Sequence, residues 1–432
     1  MRILIAGAGI GGLTAALSLH AAGFGDVRVL EAAREIREIG VGVNLPPHAV
    51  RELIELGLGP GLEQIGLPTA QLSYHDRQGQ LIWAEPRGHD AGYLWPQYSV
   101  HRGRLQQLLL GAVQERLGAG AVLLGQRVGA VTQTDAQVRV SVAGADTPHQ
   151  ADLLIGADGI RSSVRRALYQ ESIALASNGW VMYRGAARFS PFLGGRSMVI
   201  VGDERQRIVV YPLDEHTLNW LMVRPASSSE LEHAELGNWN QPVDPLGLAR
   251  QLAEWRFDWL DIPALVAATE QAYEYPMTDI DPLPRWSFER VSLLGDAAHA
   301  MYPFGSNGAS QAILDARVLA YELARHEEPV AGLRAYEAAR REQVAQVQLA
   351  NRRQAGDVMA RVSAMARTGA HGQASAELQA VERDYKKMAG FDVTALNNRP
   401  SWNVTRFTTS MPADARPPDA APTETQPRHA RG

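Results

Sequence analysis

The hydrophobic pattern of the first 31 residues predicts a strand, a helix and a second strand. Ile3–Ala6 is a short apolar run, Leu13–Ala22 carries apolar residues at helical spacing, and Asp26–Glu31 alternates before ending in an acid. Farther along, Leu153–Ile155 and Val291–Leu294 are apolar runs of the kind that form buried parallel strands. The pattern therefore predicts a βαβ unit at the start of an α/β fold, with a parallel sheet completed by distant segments.

A different pattern begins near residue 181. Short runs rich in Val, Tyr and Trp alternate with turn residues at Met198–Val201, Ile208–Tyr211 and Leu218–Val223. We expect an antiparallel sheet that is inserted into the first fold and ends near Pro284. Amphipathic helices are predicted at 46–57, 103–117, 309–326 and 332–367.

Composition narrows the class of protein without identifying it. Hydrophobic residues make up 45% of the chain and charged residues 21%, which is usual for a soluble globular protein. The formal net charge of −5 gives no reason to expect nucleic acid as a partner. The lack of cysteine excludes disulfides and thiolate metal sites, and no apolar run is long enough to span a bilayer. The chain opens directly with a strand, so no secretory signal is expected. Together these features lead us to expect a cytoplasmic protein with no metal and no membrane contact.

Glycines mark the first strand-to-helix turn as a nucleotide-binding turn. The spacing Gly-x-Gly-x-x-Gly occupies Gly7–Gly12, after the first strand and at the start of the first helix. This spacing permits a tight turn and lets backbone N–H groups approach a pyrophosphate. Glu31 ends the second strand, where an acid can accept hydrogen bonds from ribose hydroxyls. The turn on its own fits NAD, NADP or FAD.

Two further glycine-bearing turns follow strands that lie far from the first turn. Gly156–Gly159 follows one apolar run, and the segment Gly295–Ala309 follows another. Asp296 is placed after a strand end, and the loop behind it leads into a helix whose N-terminal N–H groups suit an anion. Three such turns in this order suggest one large cofactor held by distant parts of the chain.

The three glycine-bearing turns occur in the order and at the spacing typical of the class A flavoprotein aromatic hydroxylases. The chain resembles this class from residue 1 to about 365. The resemblance implies a Rossmann-like FAD-binding domain of the GR2 type, an inserted antiparallel substrate domain and C-terminal helices. It also implies bound FAD, transient NADH or NADPH as the reductant, and O2 activated as a flavin C4a-hydroperoxide. No second Gly-x-Gly-x-x-Gly unit occurs, as in this class, where the pyridine nucleotide has no separate domain.

The resemblance also divides the chain into parts. The expected boundaries are 1–72, 96–180 and 285–367 for the FAD-binding domain, 73–95 and 181–284 for the substrate domain, 368–410 for a C-terminal helical segment, and 411–432 for a disordered tail.

Three of the expected cofactor contacts have an alternative interpretation. Asp296 can bind the ribityl hydroxyls or cap a helix, and Asp158 can contact the cofactor or tie down a neighbouring arginine. Arg102 is the arginine expected at the cofactor, although its neighbour Arg104 has a similar position in the sequence. The full set of expected contacts is Gly7, Gly9, Ile10, Gly11, Gly12, Glu31, Val43, Arg102, Val128, Asp158, Gly295, Asp296, Pro303, Gly305, Gly308 and Ala309.

Candidate substrate contacts come from the inserted sheet and from the loop over the flavin. Arg184 can pair with a substrate carboxylate or anchor a loop through carbonyl groups. The aromatic candidates can equally be core residues, and the residue pattern offers no evident catalytic base. The candidates are Tyr183, Arg184, Tyr211, Trp220, Met222, Tyr302, Pro303, Phe304 and Gly305.

The expected reaction is hydroxylation of a compact, electron-rich aromatic or N-heteroaromatic molecule such as a phenazine carboxylate, with or without loss of the carboxylate. Such a step fits secondary metabolism, including antibiotic biosynthesis. Two alternatives stay open: N-oxygenation or other oxidation of a polycyclic natural product, and a flavin-binding redox protein without turnover. We expect a monomer or a homodimer.

Overall fold

The computed structural model describes residues 1–38, 41–145, 147–238, 241–368 and 376–405. The predicted disordered tail at 411–432 lies outside these residues, as does the side chain of Phe304.

Within the described residues, the strands lie between Arg2 and Leu293. They are β1 (Arg2–Ala6), β2 (Asp26–Leu30), β3 (Gly42–Leu45), β4 (Gly66–Pro68), β5 (Gln71–His75), β6 (Leu81–Pro86), β7 (Tyr98–His101), β8 (Val122–Leu123), β9 (Val128–Gln133), β10 (Val138–Val142), β11 (His149–Ala151), β12 (Leu153–Gly156), β13 (Ala176–Arg188), β14 (Ser197–Gly202), β15 (Arg207–Asp214), β16 (Thr217–Pro225), β17 (Gln241–Val243), β18 (Arg256–Phe257), β19 (Leu260–Asp261), β20 (Ala272–Asp279), β21 (Ser287–Phe288) and β22 (Val291–Leu293).

The α-helices of the described residues flank these strands and dominate the C-terminal quarter. They are α1 (Ile10–Ala21), α2 (Pro47–Glu55), α3 (Gly59–Ile65), α4 (Arg102–Leu117), α5 (Ser163–Leu168), α6 (Ser228–Glu232), α7 (Pro245–Gln251), α8 (Ile262–Ala267), α9 (Asp296–His299), α10 (Gly308–Arg325), α11 (Pro329–Thr368), α12 (Ala376–Met388) and α13 (Val393–Asn398). Within the described chain, no helix is both long and apolar enough to cross a membrane.

The first sheet confirms the predicted parallel arrangement. Within the described residues its strand order is β21-β22-β12-β1-β2-β8, and the pairs from β22 to β8 are all parallel. β1 lies at the centre because its side chains, from Ile3 to Ala6, are buried on both faces. The carboxyl ends of β1, β12 and β22 therefore meet at one edge, and each of the three glycine-bearing turns starts there.

The inserted sheet is larger than the sequence pattern predicted. Among the described residues its strand order is β17-β20-β13-β16-β15-β14-β5-β6, and β14 and β5 run parallel to each other. The pairing of β13 with β16 extends from Trp180 to Arg188 and fixes which side chains share a face. The fold is thus the predicted α/β architecture with an inserted, mainly antiparallel sheet and C-terminal helices, while the domain boundaries remain a prediction.

A buried carboxylate holds the third glycine turn to the helices behind it. Asp315 on α10 accepts hydrogen bonds from the Gly295 N–H at 3.2 Å, from His299 Nε2 at 2.6 Å and from Arg340 Nε at 2.9 Å. Burial acts to raise the pKa of Asp315, but the charges of His299 and Arg340 outweigh it, so the pKa lies below its usual value. The side chain is 0% exposed, so its ionised form depends on these partners.

We expect Asp315→Asn to lower the free energy of unfolding by about 3–5 kcal/mol, because the buried Arg340 guanidinium loses its counter-charge. The measurement is urea unfolding followed by tryptophan fluorescence. Glu322→Gln is the matched control on the same helix, since its pair with His326 is a half-buried surface contact worth about 0.3–0.5 kcal/mol.

The same substitution has a pH signature. A carboxyl whose pKa is lowered by folding stabilises the protein above its unfolded pKa, and the contribution is lost as the pH falls through the folded pKa. The wild-type protein should therefore lose more stability than Asp315→Asn as the pH drops below about 4. Parallel stability profiles for the two proteins in that range would contradict the role given to Asp315.

Candidate active site

A cavity of ≈ 560 Å³ lies between the carboxyl edge of the parallel sheet and one face of the inserted sheet. One end is formed by the three glycine-bearing turns and the other by strands of the inserted sheet together with the C-terminal segment. This volume falls within the usual range for small-molecule and cofactor sites. Eleven of the residues expected at the cofactor line it: Gly9, Ile10, Gly11, Val43, Arg102, Gly295, Asp296, Pro303, Gly305, Gly308 and Ala309.

The glycines of the first turn have two different functions. A Cβ on Gly12 would collide with the carbonyl oxygen of Gly7, and a Cβ on Gly7 would collide with the carbonyl of Ala157 in the second turn. Gly9 differs, because a Cβ there would meet no atom within 4 Å and would project into open space beside the start of α1. Gly7 and Gly12 thus allow backbones to approach each other, while Gly9 leaves room for a ligand at a helix N-terminus.

Glu31 supports the first turn from the end of β2. Its Oε2 accepts a hydrogen bond from the Ala8 N–H at 2.7 Å, and its Oε1 accepts one from the Ala33 N–H at 2.7 Å. Each carboxylate oxygen can accept a further hydrogen bond. The geometry therefore fixes the turn and leaves the expected ribose contact as a prediction.

Asp158 binds the first residues of α5, whose N-cap is Ser162. Its carboxylate accepts hydrogen bonds from the Ser162 hydroxyl at 2.5 Å and from the Ser163 N–H at 2.7 Å, at the start of α5. The neighbouring Arg165 is buried and donates to the Ala297 carbonyl at 2.9 Å. The second and third turns are therefore joined through Arg165, and Asp158 shapes the loop whose Ala157 and Gly159 line the cavity.

The structure distinguishes Arg102 from Arg104, which the sequence alone could not do. Arg104 lies on the surface, with its Nε 3.2 Å from Glu38 and its Nη1 3.3 Å from Asp214. Arg102 lines the cavity together with Asp296. Burial by the surrounding protein lowers the pKa of Arg102, and the charge of Asp296 opposes that shift. Arg102 therefore lines the cavity, and its contact with the cofactor remains a prediction.

The loop after Pro303 brings backbone N–H groups to the cavity. Residues 305–309 line it, and α10 begins at Gly308, where the first N–H groups of a helix have no partner within the helix. Ser306 has a φ of +55°, a left-handed conformation that is strained for a residue with a side chain. Asn307 Nδ2 donates to the Gly305 carbonyl at 3.0 Å and to the Tyr385 hydroxyl at 2.5 Å, which holds the loop in place.

These residues fit FAD. The open space at Gly9 suits a pyrophosphate, the Asp296 carboxylate suits ribityl hydroxyls, and the N-terminus of α10 suits the electron-rich edge of a flavin ring. When bound, FAD supplies hydride acceptance and oxygen activation, which no side chain provides. The protein contributes binding, orientation and exclusion of water.

One face of the inserted sheet forms the opposite wall. Arg184 on β13 lies opposite Leu221 on β16, and Leu221 lies opposite Val209 on β15, so these three side chains share a face. All three line the cavity, as does Tyr211 two residues beyond Val209. Arg184 and Tyr211 therefore line the cavity from the inserted sheet, and their contact with a substrate remains a prediction.

Three of the predicted substrate contacts lie on the other face of this sheet. Trp220 and Met222 alternate with Leu221 and Val223, and the register directs the odd-numbered pair into the cavity. Trp220 is instead buried in the core of the insert, with its Nε1 donating to Thr269 Oγ1 at 2.8 Å. Tyr183 pairs with Met222, belongs to the same core, and donates its hydroxyl proton to Glu230.

The remaining predicted contacts lie behind the cavity wall. Tyr302 packs in a small core with Met182 and Tyr275, and its carbonyl accepts a hydrogen bond from Asn351 at 3.1 Å. Val128 is buried in the main hydrophobic core. Gly7, Gly12, Glu31 and Asp158 support the turns, as described above, and none of these five residues is among those that line the cavity.

The C-terminal segment also contributes to the cavity, which no pattern in the sequence indicated. Glu382 and Tyr385 of α12 and Phe391 beyond it line the cavity, hundreds of positions from the first glycine turn. Lys386 in this segment pairs with Glu85 at 3.0 Å, which ties α12 to β6 of the inserted sheet. No motif marks these residues, and the spacing of α12 predicts a helix but not the surface on which it packs.

Sequence and structure comparisons place the chain among flavoproteins. Residues 1–351 match the family described as FAD binding domain. The chain is 43% identical over 363 residues to "Phenazine 1,6-dicarboxylic acid hydroxylase PhzS" of Lysobacter antibioticus, which covers 81% of this chain and 89% of that protein. It is 31% identical over 367 residues to "3-hydroxybenzoate 6-hydroxylase 1" of Aquipseudomonas alcaligenes, with 81% of this chain and 88% of that protein covered.

A solved structure with bound cofactor has the same fold. Klebsiella pneumoniae HpxO, complexed with FAD and uric acid, is 26% identical and superimposes with a TM-score of 0.70 over 90% of this chain and 92% of that one. The fold and the site thus define a flavin-dependent monooxygenase. The chain belongs to the FAD-binding-domain family, uses FAD as its cofactor, and is of the class that consumes NAD(P)H and O2.

We expect Gly9→Ala to weaken FAD binding at least about tenfold, because the added methyl group fills the space that the pyrophosphate needs. The free energy of unfolding of the FAD-free protein should change by less than about 1 kcal/mol, since no atom lies near the new Cβ. Gly12→Ala is the matched comparison and should destabilise the protein itself. FAD affinity is measured by fluorescence quenching, and stability by urea unfolding of the FAD-free proteins. The two measurements distinguish a loss of cofactor binding from a loss of stability. Unchanged FAD affinity in Gly9→Ala would contradict the placement of the pyrophosphate beside Gly9.

Asp296→Ala should lower FAD affinity by roughly tenfold, since it removes an acceptor for the ribityl hydroxyls. The measurement is the ratio of flavin absorbance to protein after purification and dialysis. Asp281→Ala is the control, because that carboxylate is 82% exposed and lies outside the cavity. Full flavin retention in Asp296→Ala would remove Asp296 from the site.

Proposed function

We propose that this protein hydroxylates a flat aromatic or N-heteroaromatic carboxylate of the phenazine type. The reaction consumes NADH or NADPH and O2 and inserts one oxygen atom into the product. We further propose a cytoplasmic enzyme that is a monomer or a homodimer, as expected from the sequence.

The observation that carries this proposal is Arg184 in the cavity wall. Arg184 is 6% exposed and lines the same cavity as the cofactor turns. Burial and the charge of Arg102 lower the pKa of Arg184 to about 10, so the guanidinium keeps its charge at neutral pH. A desolvated guanidinium favours a carboxylate, with which it forms charge-assisted hydrogen bonds. A substrate carboxylate at this wall would add a charge-assisted contact to those that Arg184 already makes within the protein.

The apolar part of the wall supports an aromatic ring system as the rest of the substrate. Met182, Val209, Leu221 and Val223 line this face, and Met301 lies on the cofactor side. An apolar wall excludes water and favours a flat hydrophobic ligand lying against the flavin. Exclusion of water also limits the unproductive release of hydrogen peroxide.

The relatives support the same class of substrate. The Lysobacter antibioticus protein, at 43% identity, is named for phenazine 1,6-dicarboxylic acid. The sequence also resembles 5-methylphenazine-1-carboxylate 1-monooxygenase in five stretches, namely Ile39–Asn44, Glu85–Gly88, Pro96–Ser99, Arg184–Gly185 and Asp279–Pro284. All of these substrates combine a fused aromatic system with at least one carboxylate.

The test measures NADH and NADPH oxidation by the FAD-loaded enzyme with phenazine, quinoline and benzoate-type carboxylates, together with product masses. A coupled substrate should give a product with one added oxygen atom, or one added oxygen with loss of carbon dioxide. Stimulation of NAD(P)H oxidation without any oxygenated product, for all carboxylates in the panel, would overturn the proposal.

We expect Arg184→Met to raise the KM for the preferred carboxylate by roughly ten- to a hundredfold, because a charge-assisted contact is lost. Arg188→Met on the same strand is the control, since that side chain is exposed. Equal KM values for Arg184→Met and wild type would contradict the carboxylate contact.

A further inference from the structure

A tyrosine from the C-terminal segment holds the loop that leads into α10. Tyr385 on α12 is 4% exposed and lines the cavity. Its hydroxyl lies so close to the loop that a Cβ on Gly305 would collide with it. The hydroxyl accepts a hydrogen bond from Asn307 Nδ2 at 2.5 Å and donates one to Asn351 Oδ1 at 2.8 Å. A single oxygen atom therefore joins the loop to α11.

The two asparagines hold the loop at its two ends. Asn351 Nδ2 donates to the Tyr302 carbonyl at 3.1 Å, at the start of the loop. Asn307 Nδ2 donates to the Gly305 carbonyl at 3.0 Å, at the end of the loop. Both asparagine side chains are fully buried, so a lost hydrogen bond at either one is not readily replaced by bulk water. The Tyr385 hydroxyl thus connects the supports of both ends.

Asn307 is also held from the side of the helix. Gln311 Nε2 donates to Asn307 Oδ1 at 3.2 Å and to the Ala389 carbonyl at 3.1 Å. Gln311 Oε1 accepts a hydrogen bond from Arg340 Nη2 at 2.6 Å. The amide of Asn307 therefore has a partner at its oxygen and another at its nitrogen, which together fix its orientation.

The conformation of the loop depends on such support. Gly305 has a φ of +70° and Ser306 a φ of +55°, so two successive residues lie in the left-handed region. A residue with a side chain keeps this conformation only where the surrounding contacts fix it. The contacts of Tyr385 and Asn307 supply that constraint immediately before α10.

The backbone held in this way is the part of the loop that suits the flavin. Residues 305–309 line the cavity, and α10 begins at Gly308. N–H groups at the start of a helix favour negative charge. The ring of reduced FAD carries more negative charge than that of oxidised FAD, so correctly placed N–H groups favour the reduced form.

We propose that Tyr385 is a positioning residue for the cofactor. By holding Asn307, its hydroxyl keeps the N–H groups at the start of α10 directed at the flavin ring, which raises the reduction potential of bound FAD. The C-terminal helix α12 thus tunes the cofactor in addition to closing the cavity. This inference requires bound FAD but no particular substrate, so it is tested separately from the proposed function.

The test measures the midpoint potential of FAD bound to the enzyme, without substrate, by anaerobic reduction alongside a reference dye. Tyr385→Phe removes only the hydroxyl and should lower the affinity for reduced FAD relative to oxidised FAD by about tenfold. For a two-electron couple this corresponds to a potential lower by roughly 30 mV. Tyr93→Phe is the matched control and should leave the potential unchanged. It removes a similarly buried hydroxyl, which donates at 2.6 Å to the Phe391 carbonyl of the same C-terminal segment instead of binding the loop.

A second variant tests whether Tyr385 acts through Asn307. Asn307→Ala should lower the potential by a similar amount, and adding Tyr385→Phe to it should lower the potential no further. Equal potentials for Tyr385→Phe and Tyr93→Phe, or additive shifts in the double variant, would overturn the proposal. An unchanged potential in Asn307→Ala would also overturn it, whether or not Tyr385→Phe can be purified with FAD.

Discussion

The close approach of two backbone turns is the constraint on which the site depends. Gly7 and Gly12 allow the first turn to fold against itself, and Gly7 also touches the backbone of Ala157 after β12. Any Cβ at either glycine would push these backbones apart. Because the two turns meet, the carboxyl ends of neighbouring parallel strands converge and the start of α1 faces the cavity. The position of the nucleotide site is thus a consequence of backbone packing, before any side chain contacts a ligand.

Buried charged side chains hold the second and third glycine-bearing turns in place. Asp315 ties the third turn to His299 and Arg340, and Arg165 ties the second turn to the third through the Ala297 carbonyl. Each of these charges has its partners within the protein. On the opposite wall, Arg184 and Arg207 are also buried, and they line the cavity beside apolar side chains. The fold thus places buried charges both behind the glycine-bearing turns and along the wall of the inserted sheet.

Particular residues show how far the sequence could be interpreted. The turns at Gly9, Asp296 and Gly308 were predictable because glycine spacing and strand ends are local features, and all three line one cavity. Which of Trp220 and Leu221 lines the cavity was not predictable from the sequence, because alternation along a strand gives two faces but does not say which one is covered. Only the pairing of β16 with its neighbours directs Leu221 into the cavity.

The sequence by itself determined the fold class, the order of the three turns and the identity of the cofactor. These depend on short-range patterns of glycine, acid and apolar residues, whose conformational requirements are local. The tertiary structure alone decided that Arg102 lines the cavity while Arg104 lies on the surface, which face of the insert lines the cavity, and that Glu382 and Tyr385 complete it. Those features depend on contacts between residues up to hundreds of positions apart, and such contacts are set by strand register and helix packing.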